Sequence, residues 1–207
     1  MAETGLTVAG ATGLRELLLP TVAEVNPWWF AGRAVVLAGL MVWSGFFITA
    51  SMESGYAIES FLHNVNLLFH EAGHIVFRPF GELLTVLGGS LLQLLMPLLC
   101  AGTFLLKERN AFGAAVAVWW VGENFLDIAP YVNDARARVL PLLGGVTGQD
   151  VPGYHDWEVI LGRLGWLRQD HLIAMTLHGI GVVLMLGALG WGGAVLHGQF
   201  RRLRASG

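Results

Sequence analysis

The chain has 207 residues, of which 55% are hydrophobic and 13% charged, with a mean hydropathy of +0.60 and a formal net charge of -3. Soluble domains carry about 25% charged residues, so this composition reads as an integral membrane protein: an all-α polytopic bundle of about five transmembrane helices. No basic face suggests nucleic acid, and the single cysteine, Cys100, excludes an internal disulfide framework and a cysteine-based zinc site.

Residues 1–33 read as an N-terminal interfacial segment. Its first thirteen residues lack the basic start and apolar core of a signal peptide. Thr12, Gly13 and the leucines up to Leu19 suit a short surface helix ended by Pro20. Asn26-Pro27-Trp28-Trp29 suits a turn with an aromatic interface anchor. Residues 34–200 read as the transmembrane bundle, with apolar stretches at 34–52, 60–77, 83–106, 111 to about 132, and 171–196. Each is near the ~20 residues that a spanning helix needs. The second and fourth are the least apolar, and polar groups usually turn a span toward the bundle interior. A polar connection, 134–170, joins the last two spans and carries an amphipathic helical pattern over 157–167. Residues 201–207 form a basic tail. Five spans would set Arg15, Arg33, Arg78, Arg136, Arg138, Arg163 and Arg168 on one side and Lys107, Arg109, Arg201, Arg202 and Arg204 on the other.

The second span carries His70-Glu71-Ala72-Gly73-His74. At i and i+4, the two imidazoles share a helix face and can hold a tetrahedral zinc, while Glu71 can take a proton from the attacking water. His63 and Asn66 fall on the same stripe. Asn66 offers an amide oxygen to a ligating imidazole, and His63 reads as a histidine at the membrane surface. Gly73 allows close backbone approach. A catalytic zinc normally has three protein ligands, so a third must come from elsewhere. Asp127 shares a face with Glu123 in the fourth span, where a nearby cation would relieve two close carboxylates. Asp134 follows at the end of that span and reads either as a ligand or as a partner of Arg136 or Arg138. His155, in the polar connection, is a further candidate, with Asp156 as its orienter. The third span offers Gly88-Gly89-Ser90 and Gln93, a polar group at mid-span that bonds either substrate or a neighbouring helix.

These motifs resemble the site-two-protease class of intramembrane zinc metallopeptidases over the second to fourth spans, about half of the chain. The first core helix of that family carries HExxH, matched by His70, Glu71 and His74. Its second carries small residues and an amide, loosely matched by Gly89, Ser90 and Gln93. Its third carries an Asn- and Pro-rich segment ending in Asp-Gly, whose Asp is the third ligand. Asn124 to Tyr131 is similar to the start of that segment, but Asn133-Asp134-Ala135-Arg136 stands where Asp-Gly belongs. Motif order favours Asp134 as the ligand, and burial favours Asp127.

The resemblance implies a zinc-dependent hydrolase of the bacterial inner membrane that cleaves a membrane-embedded protein substrate. The alternative is a non-catalytic membrane subunit of a larger complex with a structural or vestigial metal site. A metal or proton transporter is a third option, with His63, Glu123 and His178 in series across the bilayer.

Overall fold

The computed structural model describes residues 13–20 and 24–206. The expected leaderless start and Thr12 lie outside those residues. All regular structure among them is helical.

Residues 13–18 form a short helix, α1, tied to the bundle where Trp191 Nε1 donates to Leu18 O at 2.7 Å. Helix α2 spans Pro27–Thr49. It starts before residue 34 because Asn26 caps it, accepting from the Trp28 and Trp29 amides, and Pro27 needs no partner at its first position. Gly55, at φ +76, turns the chain into a single helical turn, α3 (Tyr56–Glu59). Ser60 then caps α4 (Phe61–Phe77), which bears the HExxH motif. Helix α5 (Glu82–Gly102) runs into a wider π turn over Thr103–Lys107. Asn110 caps α6 (Ala111–Asn133) through the Gly113 amide. In the polar connection, α7 (Asp156–Leu164) ends where Gly165 adopts φ +70, a left-handed stop that favours glycine. Helix α8 is continuous over Asp170–Ser206, so the basic tail extends a long helix.

Three stretches are long and apolar enough to cross a membrane: Pro27–Thr49, Glu82–Lys107 and Leu167–Ala205. They associate the chain with a membrane. Between them, α6 is buried along most of its length. It meets α8 in a crossing of bare backbone, where a Cβ on Gly181 would lie 2.6 Å from Gly122 O. Helix α8 runs antiparallel to α6, with Phe112 beside Val195 and Leu196 at one end and Val132 beside Ala174 at the other. Helix α2 runs parallel to α6: Phe30 stacks on Phe200 at 6.2 Å and Trp43 contacts Trp119 at 5.7 Å. The N-termini of α2 and α6 therefore share an end with the C-terminal part of α8. Arg33, whose guanidinium stands over Phe112, belongs with Asn110 and Gln199, not with Arg136 as a five-span alternation requires.

Helix α4 explains the difference. At its start His63 meets Asp127, and near its end His74 meets Thr85 at the beginning of α5. Both contacts lie toward the end of the bundle that carries α7. Helices α4 and α5 pack with almost no side chain between them, since a Cβ on Gly73 would fall 2.1 Å from Gly88 O.

Candidate metal centre

His70 and His74 stand one turn apart on α4 with ring centroids 4.9 Å apart. The ring of His70 lies against α5: a Cβ on Gly89 would come within 2.6 Å of His70 Nε2, so glycine leaves the space that the imidazole fills. Each ring is held through Nδ1, in His74 by Thr85 O at 2.9 Å and in His70 by Gln93 Oε1 at 3.1 Å. The Gln93 amide has a fixed sense, because its Nε2 donates to Asp127 Oδ2 at 2.8 Å and a carboxylate only accepts. Both Nδ1 atoms thus face acceptors and carry the protons, which leaves both Nε2 lone pairs free to bind.

The two Nε2 atoms converge on one oxygen. Asp156 Oδ2 lies 2.9 Å from His70 Nε2 and 3.2 Å from His74 Nε2. Two lone pairs facing a carboxylate oxygen repel each other unless a cation lies between them, either protons or a metal. Ligand atoms on a tetrahedral zinc at about 2.0–2.1 Å are separated by about 3.3 Å, close to both observed distances. Two imidazoles and a carboxylate are also a donor set that zinc takes. Burial disfavours charge on Asp156, but when no metal is bound and both Nε2 atoms are protonated, the hydrogen bonds and charges of His70 and His74 hold the carboxyl below the usual carboxylate range. Glu71 is half-buried beside them; His70, Glu71 and His74 offer ligand atoms within 4.8 Å of one another. Among the described residues the Glu71 carboxylate makes no hydrogen bond, so it faces the cavity as an available base.

The expected third ligands have other partners. Asp127 accepts from Gln93, from Asn66 at 3.2 Å and from His63 at 2.8 Å, so it acts on His70 through Gln93. Asp134 caps the chain beyond α6, accepting from the Val139 and Leu140 amides at 3.1 and 2.9 Å. Asn66 receives Trp120 Nε1 and gives its amide protons to Glu123 and Asp127, so it belongs to this network and does not orient an imidazole. His63 is bonded into the interior, not freely at a membrane surface. His178 takes no part in this chain of hydrogen bonds, which separates it from His63 and Glu123.

Of the His155-Asp156 pair, it is Asp156 that faces the two histidines. His155 is 1% exposed and caps α7, its Nδ1 accepting from the Glu158 amide at 3.2 Å. Its Nε2 stands 3.4 Å from Asp134 Oδ2, and burial holds the imidazole below its ordinary pKa. Arg138 bonds Glu158 at 2.9 Å, and Arg163 pairs with Glu82. These contacts hold α7 against the start of α5 and the chain after α6, and so point Asp156 at the histidines. The sequence signal was a His-Asp pair opening an amphipathic pattern. Nothing in that period tells which helix the pattern folds onto.

The group lines a cavity of about 240 Å³, and Leu67, Ile128 and Trp157 contribute to its apolar wall. Comparison with known proteins finds no family model that matches the chain, and no similar curated protein or solved structure.

Proposed function

We propose that the protein is an intramembrane zinc metallopeptidase in which His70, His74 and Asp156 hold the metal and Glu71 is the general base. The observation that carries this reading is the convergence of two Nε2 atoms, both with Nδ1 hydrogen-bonded elsewhere, on Asp156 Oδ2. When bound, zinc supplies Lewis acidity, polarising a peptide carbonyl and making water a nucleophile near neutral pH. Glu71 accepts the proton of the attacking water and returns it to the leaving amine. Gln93 and Thr85 fix the two imidazoles. The apolar wall takes the side chains of a substrate segment that leaves its own helix, because a helical peptide bond is shielded from attack.

We further infer that α2, α5, α6 and α8 cross the bilayer, while α4 enters from the α7 end and returns toward it. This gives four crossings in place of five. Arg15, Arg33, Lys107, Arg109, Arg201, Arg202 and Arg204 then share the end opposite the site. The smaller set, Arg78, Arg136, Arg138, Arg163 and Arg168, lies at the α7 end. The positive-inside tendency makes the first end cytoplasmic, so the site opens on the other face of a bacterial inner membrane.

Glu71→Gln tests the reading. Cleavage of a membrane substrate should fall by more than about a hundredfold while zinc is retained. Cleavage that continues unchanged removes the peptidase, and a wild-type protein that binds zinc but cleaves nothing leaves a non-catalytic subunit of a larger complex.

A further inference from the structure

His63 lines the same cavity as the metal centre, seven residues before His70 on α4. Seven residues are two turns, so the two side chains leave one face of the helix about 10 Å apart along its axis. The His63 ring stacks on Tyr131 at 6.1 Å, and its Nδ1 lies 2.8 Å from Asp127 Oδ1. That bond fixes the sense of the ring, because the opposite sense would set a carbon against the carboxylate. Nε2 is therefore the open end. It has no hydrogen-bond partner among the described residues and is not enclosed as Ser90 Oγ is, on a side chain that is 16% exposed.

The protons of the pair decide what Nε2 offers. Asp127 is 2% exposed, and among the described residues only His63 forms an ion pair with it. Its other partners, Gln93 and Asn66, are neutral amides. A buried carboxylate without a counter-charge is costly, so the pair is held neutral as a whole. Neutrality places one proton between Nδ1 and Oδ1 and a second on Nε2, whichever of the first two atoms holds the shared one. His63 thus turns an N–H toward the cavity, and an N–H is satisfied only by an acceptor. A segment that has left its helix brings carbonyl oxygens that have lost their partners.

We propose, resting on the peptidase reading above, that His63 is a substrate-binding residue whose Nε2–H donates to a main-chain carbonyl oxygen of the substrate. About 10 Å of helix axis corresponds to about three extended residues at about 3.3 Å each, so the oxygen belongs about three residues from the bond that is cut. Asp127 orients the His63 ring through Oδ1 and the His70 ring through Gln93. One buried carboxylate therefore sets both the substrate donor and a zinc ligand.

The test uses the zinc-loaded full chain in detergent and linear hydroxamic acids of graded length. The hydroxamate chelates zinc, and the far end is either a methyl ketone or the isosteric isopropyl group, of which only the ketone accepts a hydrogen bond. Titration calorimetry reads the affinities. In the wild type the ketone-to-isopropyl affinity ratio should rise about tenfold at one chain length, the factor expected for a hydrogen bond to a charged group. His63→Phe, which keeps a ring against Tyr131, should flatten that peak, and His63→Gln, which keeps a donor, should restore part of it. The isopropyl series reports the metal site in each variant, so a loss confined to the ketones is not a loss of zinc. A ratio flat across all lengths in the wild type overturns the proposal, whatever the variants do, and leaves the metal centre standing. A peak that survives at full height in His63→Phe overturns it as well and assigns the donor to another residue. Hydroxamates that bind no better with zinc than without it remove the metal centre, and this proposal with it.

Discussion

His70, Glu71 and His74 were legible because one helical period dictates their geometry: residues four apart share a face whatever surrounds them. Asp156 was not legible. Its place depends on α7 folding back against α5 and α6, a contact between segments far apart in sequence that no local period encodes. The burial of Asp127 goes with its hydrogen bonds to Gln93, Asn66 and His63. The account separates these roles experimentally. Gln93→Leu removes the acceptor for His70 Nδ1 and should cost about 10–100-fold in zinc affinity, the usual effect of losing such a partner. Gln93→Glu, which retains an acceptor oxygen, should recover part of that loss; an affinity untouched by both changes would mean that Gln93 only packs. Gly89→Ala puts a methyl where the His70 ring lies. It should reduce zinc affinity further than it reduces thermal stability, and a variant with normal zinc binding would show that the ring has room to move.

At the level of elements, capping residues fixed most helix boundaries. Ser60 starts α4, Asn110 starts α6 and Gly165 stops α7. The apolar stretch begins after Arg33, whereas α2 begins at Pro27, because Asn26 and Pro27, read from sequence as a turn, form a strong helix start. The α4–α5 contact has the least tolerance. Gly73→Ala drives a methyl into the Gly88 carbonyl and should destabilise the protein by about 1–3 kcal/mol or more, as overpacking does, read as a lower unfolding midpoint in detergent. A wild-type midpoint would mean that the two helices are not in backbone contact. Helix α7 is the opposite case, a short element held by a cap and a few polar contacts. His155→Ala removes its cap and should cost about 1 kcal/mol. The result should be faster hydrogen exchange in α7 and weaker zinc binding, with the rest of the bundle unaffected.

For the molecule as a whole, composition and hydropathy gave the all-α membrane class, and the apolar stretches gave the helices. The number of crossings was not legible, because length and hydropathy do not distinguish a helix that crosses from one whose two ends stay near the same face. The topology proposed above is checked by cysteine labelling in a Cys100→Ala background. Cysteines in place of Trp28, at the start of α2, and of Ala205, at the end of α8, should both be shielded from an impermeant reagent added from outside the cell, and one in place of Asp150 should react. Reaction of only one of the first two would contradict four crossings. The central claim is that the chain itself supplies a three-ligand zinc site, with Asp156 as the ligand that α7 brings to the two histidines of α4. Zinc content of the purified protein measures it most directly. The account predicts one zinc per chain in the wild type, retained in Asp127→Asn and Asp134→Asn and lost in Asp156→Ala. Full zinc content in Asp156→Ala, or loss in Asp134→Asn of a folded protein, would contradict it.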